Sequence, residues 1–438
     1  MSMRAYFTRV KGYFKQLRSK QAVRLPRSQH NISRQQISAN ALKVLYKLHK
    51  AGFDAHIVGG GVRDLLLNRQ PKDYDVVTNA TPNQIRRLIH NSRIIGRRFK
   101  LVHAYFYGEI IEISTFRAKL THQPDKQGDM PDMVMQDNTF GSMSDDAFRR
   151  DFTVNALFYD ISDFSVVDYT GGLVDLERRT IRVIGDPTMS FHEDPVRMLR
   201  AIRLAAKLNF TIEPKTEQAM LNSLPLLVQV PQARLFDELQ KIFFNGYAKV
   251  TFDLLRHYQM FGIFFPQTKN VLNRRDALAE KAMTLIDAAL KASDVRFQKD
   301  LPINPGFLMA VFLWPVVQQT IEMNKVSDKK LFQALYEAIH TVLQEQLAVL
   351  LIPKRFTAMM QSIWLMQYHL ESRRGLRVMR IVNHRYYRAA YDFLLLRAEI
   401  DQVDPALVQW WEAFYAMNET KRLEMVAQLQ NAGKKRKK

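Results

Sequence analysis

The distribution of apolar and polar positions divides the chain in two. Up to about residue 185, short apolar runs alternate with glycine- or proline-marked turns. Asp54–Val58 reads as a strand, Gly59-Gly60-Gly61 breaks it, and Val62–Leu67 reads as a short helix. Asp73–Thr78 is a second strand, and Pro82–His90 a helix started at Thr81 or Pro82. Leu101–Tyr107 and Ile110–Phe116 alternate as strands do, with Gly108 between them as a hairpin turn. Leu120–Asn138 is polar and carries Pro124, Gly128 and Pro131, the pattern of a mobile loop. Thr153–Tyr159 and Val166–Asp168 complete the strands, and Gln36–Ala51 is a helix ahead of them. From Asp194 onward the apolar spacing becomes three and four residues, giving helices at Val196–Leu208, Thr216–Ser223, Ala233–Phe244 and Val250–Tyr258. Further helical blocks cover roughly 275–350 and 355–430.

Composition narrows the classes. The 438 residues suffice for two to four domains, and no apolar run reaches the ~18 residues of a membrane span. Without cysteine there is no disulfide, thiolate metal site or cysteine nucleophile, which fits a reducing compartment such as the cytoplasm. The formal charge of +21 points to a polyanionic partner. It is uneven: residues 1–53 hold twelve Lys or Arg and no acid, and the chain ends in Lys434-Lys435-Arg436-Lys437-Lys438. Such ends are either solvated tails or contacts to RNA phosphates that gain free energy by counterion release.

Two motifs in fixed order carry the chemistry. Gly59-Gly60-Gly61-Val62-Arg63-Asp64 follows a strand, so backbone amides can approach a phosphate and Arg63 can add a contact. Asp73 and Asp75, two apart on the expected strand, point to one face. Neighbouring carboxylates repel unless a cation lies between them, and a pair of Mg²⁺ ions would meet that need, one activating a hydroxyl and one holding a triphosphate. A glycine turn or an Asp-x-Asp alone is commonly structural; the two on adjacent elements of one small sheet are not.

These motifs, with Asp75-Val76-Val77-Thr78 continuing the second, resemble the head domain of the class II nucleotidyltransferases, the tRNA CCA-adding enzymes and bacterial poly(A) polymerases of the polymerase β superfamily. The resemblance implies an α+β protein, a small polymerase-β-like α/β nucleotidyltransferase head followed by an elongated, all-helical neck and body. The divisions expected are a basic extension over 1–35, the catalytic head over 36–185, a neck over 186–260, a body over 261–430 and a basic tail over 431–438.

By the same resemblance Asp73 and Asp75 are the metal-binding pair. Arg149-Arg150-Asp151-Phe152-Thr153-Val154-Asn155 matches the motif that binds the nucleotide and its ribose 2′-hydroxyl, giving roles to Arg150, Asp151 and Asn155 beside Gly59, Gly60 and Arg63. Asp151 is favoured as a third catalytic carboxylate, with Glu112 the competing metal ligand. Gly171-Gly172 and Asp175 resemble the hinge between head and neck. In Glu193-Asp194-Pro195-Val196-Arg197-Met198-Leu199-Arg200, Asp194 before a proline is already a good helix cap. The resemblance makes Asp194 and Arg197 a protein template for the base, with Arg200 also at the nucleotide. A carboxylate accepts from the adenine amino group and a guanidinium donates to the ring nitrogen; cytosine offers the same order.

Separation of A-adding from CCA-adding therefore rests elsewhere. Ile94-Ile95-Gly96-Arg97-Arg98-Phe99-Lys100-Leu101-Val102-His103 is similar to the stretch typical of the poly(A) polymerases, although Ala104 replaces the usual larger aliphatic residue. Asn304–Leu308, Ile352–Arg355, Ser372–Gly375, Arg388–Asp392 and Leu396–Glu399 continue that similarity into the body. Arg97, Arg98, Lys100, Arg373, Arg374 and Arg377 are candidate RNA contacts. The implied activity is template-independent addition of AMP from ATP to RNA 3′ ends, those of mRNA and other transcripts, promoting decay with RNA-decay proteins as possible partners. The alternatives are a CCA-adding tRNA nucleotidyltransferase and a non-catalytic RNA-binding protein of the same fold.

Overall fold

Among the described residues, eight strands build one mixed sheet in the order β1-β8-β7-β2-β3-β6-β5-β4. They are β1 (Val23–Leu25), β2 (Ala55–Val58), β3 (Asp75–Thr78), β4 (Ser92–Ile95), β5 (Leu101–Phe106), β6 (Glu109–Thr115), β7 (Leu157–Asp160) and β8 (Val166–Asp168). The computed structural model describes residues 22–96, 100–118, 140–325, 330–373 and 376–435. It divides into two units, Met1–Ser223 and Leu224–Lys438. The sheet lies in the first.

Neighbouring strands run antiparallel except β3 and β6, which are parallel. Helix α1 (Ala39–Lys50) is capped by Ser38, whose hydroxyl accepts from the Asn40 and Ala41 amides, and it buries Ala41, Val44, Leu45 and Leu48 as one stripe. Helix α2 (Gly60–Leu66) follows the glycine turn, and α3 (Pro82–Leu88) starts at a Thr81–Gln84 capping box with proline in its first turn. On β6, Ile111, Ile113 and Thr115 are buried while Ile110 is exposed, so one face of the sheet is core. The other face is covered beside β2, β3 and β7, where Val58, Val77, Phe116, Phe158 and Val167 cluster with Ala147 of α4 (Met143–Phe148).

The same unit continues through α5 (Gly172–Glu177), α6 (Pro187–Glu193), α7 (Val196–Leu208) and α8 (Pro214–Asn222). A small parallel pair, β9 (Thr180–Ile181) and β10 (Thr211–Ile212), ties the start of this segment to the end of α7. Arg69, just after α2, donates to the Lys207 carbonyl at the end of α7. These links place 186–223 with the sheet, whereas the sequence suggested a separate neck from 186. Likewise β1 lies inside the stretch expected to be a basic extension and pairs with β8.

Smaller differences have local causes. The second strand begins at Asp75, so Asp73 precedes it. Thr153–Asn155 is a 3₁₀ turn and the strand starts at Leu157, because the Thr153 hydroxyl is held by Asp175 and the Asn155 side chain by Arg63. Ser92–Ile95, for which the periodicity predicts no element, is an edge strand. The loop expected at Leu120–Asn138 lies outside the described residues.

The second unit is helical, from α9 (Gln232–Phe243) to α20 (Glu419–Lys435), in agreement with the periodicity. Its core joins Phe243, Phe252, Phe261, Phe265 and Phe312 in mutual ring contact. The buried indoles find acceptors, Trp364 at the Ala310 carbonyl and Trp411 at that of Leu370. One stretch, Pro305–Met323, is long and apolar enough to cross a membrane, but 67% of it is buried in this core.

Gly172 is the tightest backbone approach in the first unit: a Cβ there would overlap the Thr153 carbonyl oxygen. Gly172→Ala should lower stability to chemical denaturation by about 3 kcal/mol. Gly108→Ala, with φ +75° but open space around it, should lose only about 1 kcal/mol.

Candidate active site

The β2 strand ends at Gly59, where φ 74° and ψ −130° turn the chain into α2. A side chain there would be strained and would lie 3.5 Å from a terminal nitrogen of Arg150. No side chain caps the first amides of α2, which leaves them for an outside acceptor. Because Val58 pairs with Asp75, this turn stands beside the start of β3.

Across the parallel pair, Asp75 is in register with Glu112. Paired residues share a face, so the two carboxylates are neighbours, and Asp73 is exposed two residues ahead. Asp75 opens to solvent, yet the protein around it disfavours its charge. Glu112 and Asp73 add repulsion and Arg150 opposes it; the carboxyl is pushed up to about 6. Crowded hard oxygens of one sign suit a divalent cation. Among the described residues no three His, Asp or Glu side chains already form a metal cage. Mg²⁺ characteristically binds through one or two carboxylates and substrate phosphates, so the donor set fits it.

The residues around this pair are tied into a chain of polar contacts. Arg63, expected at a phosphate, is 4% exposed and spent internally. Its Nε donates to Asp64 at 2.8 Å and its Nη1 to the Asn155 side-chain oxygen at 2.6 Å. Asp64 also receives Lys207 of α7 at 3.0 Å. Asn155 in turn donates to Asp151 at 3.4 Å, and Asp151 accepts the Phe152 amide and pairs with Arg200 of α7 at 3.6 Å. Arg63 therefore supports the glycine turn and Asn155. It does not reach out from them.

The two candidates for a third carboxylate stand in different surroundings. Glu112 lies opposite Asp75, whereas Asp151 is turned into the contacts with Asn155 and Arg200. Arg150 donates through Nε and Nη2 to Asp146 and lies over Phe158, with Nη1 left towards Gly59.

At the α6–α7 corner, Asp194 accepts the Val196 amide, as a cap does. Arg197 donates through one terminal nitrogen to Ser190 and to Glu193. Arg197 and Arg200, three residues apart on α7, present guanidinium groups on one face. Asp175, expected at the hinge, accepts from Thr153 and from Arg182 at 2.9 Å. Sequence reasoning missed Asp64, Asp146 and Lys207; the adjacency of Arg63 and Asp64 was the available signal. Among the RNA candidates, Lys100 and Arg377 are exposed, and Arg373 lies over Trp410 at 5.4 Å. Arg97, Arg98 and Arg374 lie outside the described residues.

Three family models match the chain: the poly A polymerase head domain over residues 55–182, the probable RNA and SrmB- binding site of polymerase A over 209–272, and the polymerase A arginine-rich C-terminus over 327–438. The sequence is 42% identical over 428 residues to poly(A) polymerase I of Escherichia coli O6:H1, spanning 93% of this chain and 91% of that one. It is 44% identical over 404 residues to poly(A) polymerase I of Salmonella typhi, spanning 90% and 85%. The CCA-adding enzyme of Lactobacillus johnsonii is 40% identical over 202 residues, 46% of this chain and 49% of that one. Among solved structures, a tRNA-processing enzyme in its apo form aligns with TM-score 0.60 and 22% identity, covering 88% of this chain and 99% of that one. The Bacillus stearothermophilus CCA-adding enzyme in complex with CTP aligns with TM-score 0.54 and 23% identity, covering 88% and 87%. At these identities the structures establish a shared fold.

Two stability measurements test the site. Arg63→Met should cost about 3 kcal/mol by leaving Asp64 and Asn155 short of a partner, and Arg63→Met/Asp64→Leu should cost less than the two single changes together. For Asp75 the sign follows from a folded pKa above the unfolded one. Its charge opposes folding above about 6 and has no effect below about 4. In metal-free buffer Asp75→Asn should raise the melting temperature near neutral pH, with the gain shrinking as the pH approaches 4.

Proposed function

This chain belongs to the poly(A) polymerase family, and from that premise we propose that it adds AMP from ATP to RNA 3′ ends without a template, releasing pyrophosphate. The observation that carries the reading is the extent of the similarity. It runs through both units to residue 438 for the poly(A) polymerases and covers about half of the chain for the CCA-adding enzymes.

The acceptor 3′-hydroxyl attacks the α-phosphate in line, and the bond to pyrophosphate breaks. Asp73 and Asp75 with Glu112 would hold Mg²⁺, which when bound would supply charge neutralisation for the triphosphate and a more acidic hydroxyl. The amides after Gly59 and the free terminal nitrogen of Arg150 face the phosphates. Arg63 keeps the turn and Asn155 in place, and Asp151 with Asn155 holds the ribose. Asp194 and Arg197 read the adenine edge, with Arg197 pre-oriented by Ser190 and Glu193. The exposed basic residues of the second unit bear on RNA phosphates. The tails made in this way mark transcripts for decay, in the cytoplasm and alongside RNA-decay proteins.

Incubation with Mg²⁺, each NTP separately, and either generic RNA or tRNA lacking its terminus tests the reading. Long tails from ATP alone on generic RNA are expected. CTP incorporation confined to tRNA would identify a CCA-adding enzyme, and no incorporation a non-catalytic RNA-binding protein.

The carboxylate roles separate by kinetics. Asp73→Asn, Asp75→Asn and Glu112→Gln should each lower kcat by more than about a hundred-fold. Asp151→Asn should act mainly on KM for ATP. A Glu112→Gln enzyme with normal kcat would return the third carboxylate to Asp151.

A further inference from the structure

The sheet face that carries Asp75 and Glu112 does not end at them. Register places Glu112 opposite His103, His103 opposite Arg93, and Ile110 opposite Tyr105, so these side chains share that face across β6, β5 and β4. His103 Nε2 is 3.5 Å from Glu112 Oε2. The His103 and Tyr105 rings meet edge to face at 6.4 Å, and the Arg93 guanidinium lies 6.0 Å from the centre of the Tyr105 ring. Ile110 is 52% exposed and Ile95, at the outer edge of the strip, 39%. Beyond Glu112 the strip carries no acid, and exposed Lys100 adjoins it.

An ordinary solvent-facing sheet surface is polar. This one offers flat rings, apolar patches and a guanidinium, and it leads directly to the carboxylates. Those are the features that hold single-stranded nucleic acid: ring faces for bases, a cation for the backbone, and no edge contacts that would select a sequence. From β6 to β4 is two strand spacings, about 10 Å, the scale of one or two nucleotides.

We propose that Tyr105, His103 and Arg93 form the platform on which the last nucleotides of the acceptor RNA stack, delivering the 3′-hydroxyl to Asp75 and Glu112. Tyr105 supplies the stacking face, and Arg93 backs it and meets the RNA backbone. The platform rests on the RNA-extending reading above and names the place of that substrate.

Steady-state kinetics on a short unstructured RNA, with wild type, Tyr105→Ala, Arg93→Ala, the double variant and Tyr105→Phe, tests it. Loss of stacking should raise KM for RNA by about ten-fold or more in the double variant, with KM for ATP and the melting temperature unchanged. Tyr105→Phe, which keeps the ring, should stay near wild type. In parallel, 5-iodouridine at the last or penultimate position of the RNA should cross-link to Tyr105. The proposal falls if the double variant keeps its RNA KM within about two-fold, if KM for ATP rises in its place, or if cross-links form only elsewhere. A wild-type protein that adds no AMP to any RNA would overturn the functional reading instead, and the cross-link would still report on the platform.

Discussion

Everything in the first unit serves one unfavourable arrangement, two carboxylates held side by side at the start of the parallel pair β3–β6. Left to themselves Asp75 and Glu112 would separate. They cannot, because the buried neighbours Val76, Val77, Ile111 and Ile113 lock the register of both strands. A slip of one residue would move the acids to the core face and the apolar residues to the open one, so packing fixes the active-site geometry. The raised pKa of Asp75 comes first from the desolvation its protein surroundings impose and then from the charges of Glu112 and Asp73, a setting that favours a cation beside the pair.

The strongly basic composition takes on a more specific meaning around that pair. Arg63, Arg150, Arg200 and Lys207 surround the site, yet each is engaged by an acid: Asp64, Asp146, Asp151 and again Asp64. Pairing fixes these cations in direction and cancels much of their charge, four cations standing against three acids. It also couples the glycine turn to α7 through Arg63, Asp64 and Lys207 on one side and Asn155, Asp151 and Arg200 on the other. The glycine turn and α7, joined in this way, cannot shift independently.

Much of this was legible in the sequence, and the exceptions share a cause. The glycine turn, the hairpin around Gly108 and the helical second unit follow from local spacing, whereas Asp73, expected on one strand face with Asp75, lies ahead of the strand. The role of Arg63 does not follow from spacing, since a phosphate and the neighbouring Asp64 compete for it and only the buried surroundings decide. The choice between Glu112 and Asp151 depends on which strand lies beside β3, a matter of register between segments far apart in the chain. The strands β1 and β4 are too short to show a period, and they exist because β8 and β5 offer them partners.

Selectivity and tolerance must be divided within such a site. In the proposed base-reading role, Asp194 and Arg197 would meet adenine and cytosine with the same donor and acceptor order, so the pair alone would exclude G and U and no more. On that assignment the remaining discrimination lies outside the pair, because a purine and a pyrimidine differ in size where their edges agree. The acceptor strand poses the opposite problem. Each added nucleotide becomes the next acceptor, and the original RNA can end in anything, so contacts to base edges there would stall extension. Ring faces and a guanidinium accept every base alike, and a sheet surface can present them beside the carboxylates without a pocket. An incoming nucleotide read at its edge and an acceptor held by its face together allow addition without a template.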